Sequence, residues 1–153
     1  MPTAQCLEFV MEAHVIVGAA LDVGCAPAGE RRIIPITGGA FEGPGLRGRV
    51  LAGGADWQII RADNTAELDA RYTLETESGG LIYVRNRAIR HGSPEVLQNL
   101  REGIPVVRSE YYFRCSPIFE TAIPDLHWMT RSIFVGDGER FPNSVVIRFW
   151  RVL

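Results

Sequence analysis

The sequence predicts an all-β fold, a single antiparallel β-barrel domain of about eight or nine strands spanning residues 1–153. Three observations lead there. Short β-branched and aromatic segments succeed one another from Leu7 to Val152 with only brief turns between them. Only one segment carries helix signals at both ends. Seven of the sixteen glycines fall between Gly38 and Gly54, inside strand-rich sequence, where sharp turning or close backbone approach must offset their entropy.

Leu7 to Val17 is apolar and β-branched, hence a strand, and Gly18 to Gly29 is rich in small residues, hence a loop. Arg31 to Ile36 reads as a short strand running into the glycine-dense segment, which ends at Asp56-Trp57. Trp57 to Arg61 is a strand and Ala62-Asp63-Asn64-Thr65 a turn. Glu67 to Glu77 and Leu81 to Ile89, joined by Ser78-Gly79-Gly80, form the clearest hairpin. Ser93 is an N-cap before Pro94 at the first helical position, and Val96, Leu97 and Leu100 give one apolar face. With Gly103 and Pro105 as stops, this places a short helix near residues 94–102. Ser109 to Cys115, His127 to Val135 and Asn143 to Val152 supply the remaining strands, with Gly136-Asp137-Gly138 as a turn. A helix that does not recur excludes a βαβ sheet. A closed sheet is favoured because the long strands carry polar residues on one face and apolar residues on the other.

The chain is long enough to bury a proper core, with 46% apolar and 22% charged residues. A net charge of −2 gives no support to nucleic-acid binding. No apolar run approaches the roughly 20 residues that span a bilayer. The start, Met1-Pro2-Thr3-Ala4-Gln5-Cys6, lacks a secretory pattern, so the expectation is cytoplasmic. Cys6, Cys25 and Cys115 are widely spaced without a CxxC, and His14, His91 and His127 share no ligand spacing, so no metal is expected. All sixteen basic residues are arginine. Schiff-base chemistry and a P-loop lysine are therefore excluded, and an anion must be held by guanidinium, backbone N–H or neutral donors. The glycine segment contains Pro44 and runs into a strand rather than a helix, which removes the dinucleotide reading. Ser116 precedes Pro117 outside any G-x-S-x-G elbow. No cofactor is expected.

Strand alternation sorts the polar residues. Asp69, Arg71, Thr73 and Glu75 share one face against Ala70, Tyr72 and Leu74. Tyr83, Arg85 and Arg87 oppose Ile82, Val84 and Asn86, and Tyr112 and Arg114 oppose Tyr111 and Phe113. On a water-facing sheet such residues form weak cross-strand ion pairs; in a barrel lumen they form a polar pocket. Alternation alone leaves both open. Asp56 either caps the turn, with Trp57 in the core, or stands as an acid–base carboxylate at a pocket mouth.

With those residues in view, the chain resembles a bacterial and fungal family, domain of unknown function 3237, also grouped as UPF0311. The resemblance rests on Thr37 to Gly48, Gly53-Gly54-Ala55-Asp56-Trp57, Asp69 to Leu74, Tyr83-Val84-Arg85-Asn86-Arg87, Tyr112-Phe113-Arg114 and Trp128 to Gly136. These blocks run in order across nearly the whole chain. The resemblance implies a calycin-type, lipocalin-like barrel; it assigns no activity, cofactor or catalytic residue.

The expected site is a small-molecule pocket, with Asp56 as the catalytic candidate and Trp57, Arg61, Arg71, Tyr83, Asn86, Arg114, Trp128 and Arg131 as ligand-binding candidates. One hypothesis is a cofactor-independent lyase, isomerase or cyclase acting on a small carbonyl, phenolic or carboxylate compound. Asp56 would move the proton and Arg71, Arg114 or Arg131 would stabilise the developing anion. The alternative is a non-catalytic binding protein for an aromatic or acidic metabolite. The partner is a small-molecule ligand rather than nucleic acid or membrane, and homo-oligomerisation stays open.

Overall fold

A computed structural model describes residues 4–153. Ten strands form one antiparallel sheet: β1 (Leu7–Val17), β2 (Leu21–Ala26), β3 (Gly29–Gly43), β4 (Leu46–Val50), β5 (Gly54–Ile60), β6 (Ala66–Thr76), β7 (Leu81–Gly92), β8 (Tyr111–Thr121), β9 (Ile133–Arg140) and β10 (Ser144–Val152). The sheet runs β1-β10-β9-β8-β7-β6-β4-β3, and β3 returns to pair with β1. The result is a closed eight-position barrel with two extra strands, as expected. No helix among the described residues is long and apolar enough to cross a membrane.

Closure depends on β3. Its first half lies between β2 and β5, and its second half between β1 and β4, so β4 and β5 share one place in the ring. The strand bends where it changes partners. Gly39 has φ 131°, a conformation L side chains rarely adopt, and a Cβ there would collide with the His14 carbonyl of β1. Most of the dense glycines thus lie inside β3, β4 and β5, where strand backbones cross closely. Only Pro44-Gly45 and Ala52-Gly53 turn the chain between strands.

The two ends of the barrel differ. At one end Phe119, Phe134 and Phe149 pack edge to face, with centroids 4.9 and 5.5 Å from Phe119. Leu74, Ile82, Val84 and Met11 complete that core. A 3₁₀ segment, Pro124–Arg131, covers it and buries Met129. At the other end α1 (Pro94–Glu102) lies against the barrel through Leu100; Ser93 Oγ accepts the Val96 N–H and Gly103 closes the helix in the left-handed region. That helix matches the sequence expectation.

Three local expectations are corrected. Residues Gly18 to Gly29 are not a plain loop, because Leu21–Ala26 pairs with β3 as an edge strand. The strand expected over His127 to Val135 begins only at Ile133. Before it, the Thr130 hydroxyl donates to the His127 carbonyl and the Ser132 hydroxyl to the Trp128 carbonyl, fixing a 3₁₀ turn. Gly136-Asp137-Gly138 is not a turn but the middle of β9. Its glycines leave room for the Phe113 ring and the Cys115 thiol, while Asp137 faces outward to Arg148 at 3.4 Å.

The bend in β3 gives a stability prediction. Gly39→Ala should cost about 2–4 kcal/mol, because strained φ and a backbone collision add. Gly45→Ala, with φ 65° and no atom within 4 Å of a Cβ, should cost about 1 kcal/mol. Urea unfolding of the two variants tests the difference.

Candidate functional site

The unfilled end of the barrel holds a cavity of about 360 Å³, within the range of about 300–1,000 Å³ usual for ligand sites. Inward alternation supplies its walls. From β3 come Arg32, Ile34 and Ile36; from β5, Asp56 and Gln58; from β6, Leu68, Ala70 and Tyr72. Strand β7 adds Asn86, Ala88 and Arg90, and β9 ends in Arg140. The rim is the connection Gly18–Ala20 and the turn Phe141–Asn143.

Asp56 sits deep in this wall. One carboxylate oxygen accepts from Gln58 Nε2 at 2.8 Å and the other from the Asp69 backbone N–H at 3.0 Å. That second bond takes an amide from the β5–β6 ladder, whose pairing passes from Asp56–Ala70 to Ile59–Glu67. Although Asp56 keeps some accessible surface where it lines the cavity, protein atoms crowd it closely. Burial pushes its pKa up, against the Gln58 hydrogen bond, the charge of Arg90 and the Asp69 N–H. The carboxyl is thus held toward its protonated form, the state from which it can donate.

Three further polar atoms, on residues that line the cavity, are buried without a partner. They are Gln58 Oε1, the Tyr72 hydroxyl and Asn86 Oδ1. Buried polar groups are nearly always paired, so three around one cavity mark hydrogen bonds available to a ligand. Tyr72 has its pKa raised by burial, which keeps the phenol neutral and able to donate. Below Asn86, Cys115 is buried and its thiol is pushed up to about 12, so it is no nucleophile at neutral pH.

The sequence-predicted residues divide between the two faces. Asp56 and Asn86 line the cavity together. Arg71 lies on the outer face, paired with Asp69 at 3.2 Å, with Tyr83 on the same face. Arg61 is bound to Asp63 in the β5–β6 turn, 3.1 Å apart. Trp57 points out and is 37% exposed. Arg114 covers the outward Tyr112 ring at 5.5 Å. Trp128 and Arg131 belong to the 3₁₀ segment at the opposite end, Trp128 beneath the Arg151 guanidinium at 5.2 Å. The expected arginines therefore do not meet Asp56. Arg32, Arg90 and Arg140 reach the cavity instead, with Gln58 and Tyr72. The missed signal was parity: Arg90 is four residues beyond Asn86 on β7, and Gln58 two beyond Asp56 on β5.

Because the folded-state pKa of Asp56 is raised, the unfolded chain holds this carboxyl's proton less tightly. Its contribution to stability is intact below the unfolded value, near 3.8, and falls as pH rises toward the folded value. Asp56→Asn removes that loss, and rotation of the Gln58 amide offers its free Oε1 to the new amide. The variant should gain on wild type as pH rises from about 4 toward neutrality. Unfolding curves across that range measure the difference.

Residues 5–152 match the family described as "Protein of unknown function (DUF3237)". A UPF0311 protein of Rhodopseudomonas palustris is 42% identical over 152 residues, covering 99% of both chains. The crystal structure of a conserved protein of unknown function from Rhodopseudomonas palustris superposes with a TM-score of 0.97 and 41% identity, covering 100% of each. A hydroalkoxylation enzyme of Penicillium herquei is 33% identical over 151 residues, 99% of this chain and 86% of that one. With the match running almost from end to end, the chain belongs to the DUF3237 family of β-barrel proteins.

Proposed function

We propose that this barrel is a proton-transfer enzyme for a small organic molecule held in the lumen, with Asp56 giving and taking the proton. The observation that carries the reading is the placement of Asp56. Its carboxyl is buried, held toward the neutral form, and flanked in the cavity wall by unpartnered atoms of Gln58, Tyr72 and Asn86. A carboxyl that burial holds toward its neutral form is the arrangement that lets an acid work near neutral pH.

The related Penicillium herquei enzyme is named for hydroalkoxylation, the addition of an O–H across a carbon–carbon double bond. The present site suits that class of step. Asp56 would protonate one alkene carbon while the substrate oxygen bonds to the other. The hydroxyl proton would return to the Asp56 carboxylate, so no external acid, oxidant or reductant is consumed. Isomerisation and elimination on carbonyl, phenolic or carboxylate compounds use the same shuttle, and Tyr72 and Asn86 would orient the reacting oxygen. A second reading, ligand carriage without chemistry, draws on the same enclosed cavity.

A panel of unsaturated phenols and enolisable carbonyl compounds, incubated in D₂O, separates the two. Turnover should place deuterium on carbon, read by mass spectrometry, and Asp56→Asn should lower the rate by about 10²–10⁴-fold. Full activity in Asp56→Asn would remove the assignment. A compound that binds but returns unaltered and unlabelled supports carriage.

A further inference from the structure

A second chamber adjoins the lumen. About 240 Å³ of space lies under α1, walled by Leu97, Gln98 and Asn64. Arg32, Arg90 and Arg140 line both this chamber and the main cavity, so three guanidinium groups form the partition between them.

Asp56 acts on Arg90 and Arg140, and Glu30 and Asp22 on Arg32, but none of these carboxylates closes an ion pair with them. Seven arginines of the chain form carboxylate ion pairs among the described residues, and these three are not among them. The adjacent Glu30 is engaged by Arg101 at 3.5 Å. Asp56 is the one acidic residue of the main cavity, and it is held toward neutrality. Arg90 is wholly buried, and burial followed by repulsion from Arg140 lowers its pKa to about 10, which leaves it charged at neutral pH. It is steadied by the Phe113 ring, 5.4 Å below it. The Arg140 backbone N–H donates to the Tyr111 hydroxyl at 3.0 Å, fixing the strand end that carries this side chain.

We propose that Arg32, Arg90 and Arg140 anchor the carboxylate of an organic acid whose apolar body lies in the main cavity against Ile34, Ile36, Leu68 and Ile147. Planar guanidinium groups match a planar carboxylate through paired N–H bonds, and an anion here relieves repulsion among cations already placed. An inorganic ion would satisfy the arginines but leave the apolar wall uncovered; an acid with an aromatic or aliphatic body covers both. The inference rests on the lumen as the ligand site and adds the substrate class to that reading.

Calorimetric titration of benzoate, cinnamate and 2-naphthoate, each beside its neutral amide, tests it; sulfate serves as the inorganic control. At least one acid should bind about tenfold or more tightly than its amide. Arg32→Gln and Arg140→Gln, both only partly buried, should weaken that acid by a similar factor while keeping the circular-dichroism spectrum of the wild type. Asp56→Asn should bind the acid as well as wild type or better, so that lost turnover with retained binding separates the proton shuttle from the anchor. Equal affinity for every acid and its amide would overturn the proposal. So would unchanged affinity in both arginine variants, or arginine-dependent binding of sulfate alone.

Discussion

The pairing of β3 with β1 is the constraint on which everything else in the molecule depends. It turns an open sheet into a ring and thereby defines an inside. A fifteen-residue strand can do this only by changing neighbours halfway, and Gly39, in the left-handed region and pressed against the His14 carbonyl, permits it there. Once the ring is shut, alternation leaves no choice: Asp56, Asn86 and Arg90 face in, and Asp69, Arg71 and Arg85 face out. The lumen chemistry follows from closure as much as from residue type.

Inside the ring, the placement of charge opposes what solvation alone favours. Placing arginines and a carboxyl in a low-dielectric space is costly, and the protein moderates that cost only in part. Gln58 and the Asp69 amide hold Asp56, and Phe113 underlies Arg90. The remaining imbalance is positive and sits at one place, while the remaining unpaired acceptors and hydroxyl sit nearby on β5, β6 and β7. Among the described residues, the opposite end of the barrel carries no such mismatch and is packed by aromatic rings in edge-to-face contact.

Much of the fold was legible from turn chemistry. Ser78-Gly79-Gly80 marks the β6–β7 hairpin, and Ser93-Pro94 with Gly103 frames α1 closely. The errors share a cause. Leu21–Ala26 has one strong strand former, Val23, and is held by β3 alone, and Gly136 and Gly138 read as turn residues until Phe113 and Cys115 are seen filling their side-chain space. The stretch before Ile133 alternates like a strand, yet Thr130 and Ser132 bond their own backbone and hold a 3₁₀ turn. At the site, Asp56 was legible because a glycine-rich approach delivers it to a strand. Arg90 carries no local mark that distinguishes it from Arg85 or Arg87. It differs only in sharing a face with Ile82, Val84 and Asn86, and that face becomes an interior only when β1 meets β3.

The separation of the two ends has an evolutionary corollary. Phe119, Phe134 and Phe149 pack at the end of the barrel away from Asp56 and the arginine partition, so lining residues outside the β1–β3 seam can change without disturbing that packing. Such a scaffold tolerates drift among the side chains that line the lumen and resists it where strands are held together. One ancestral architecture can then be diverted to new substrates by exchanging a few inward side chains, its mechanical half untouched.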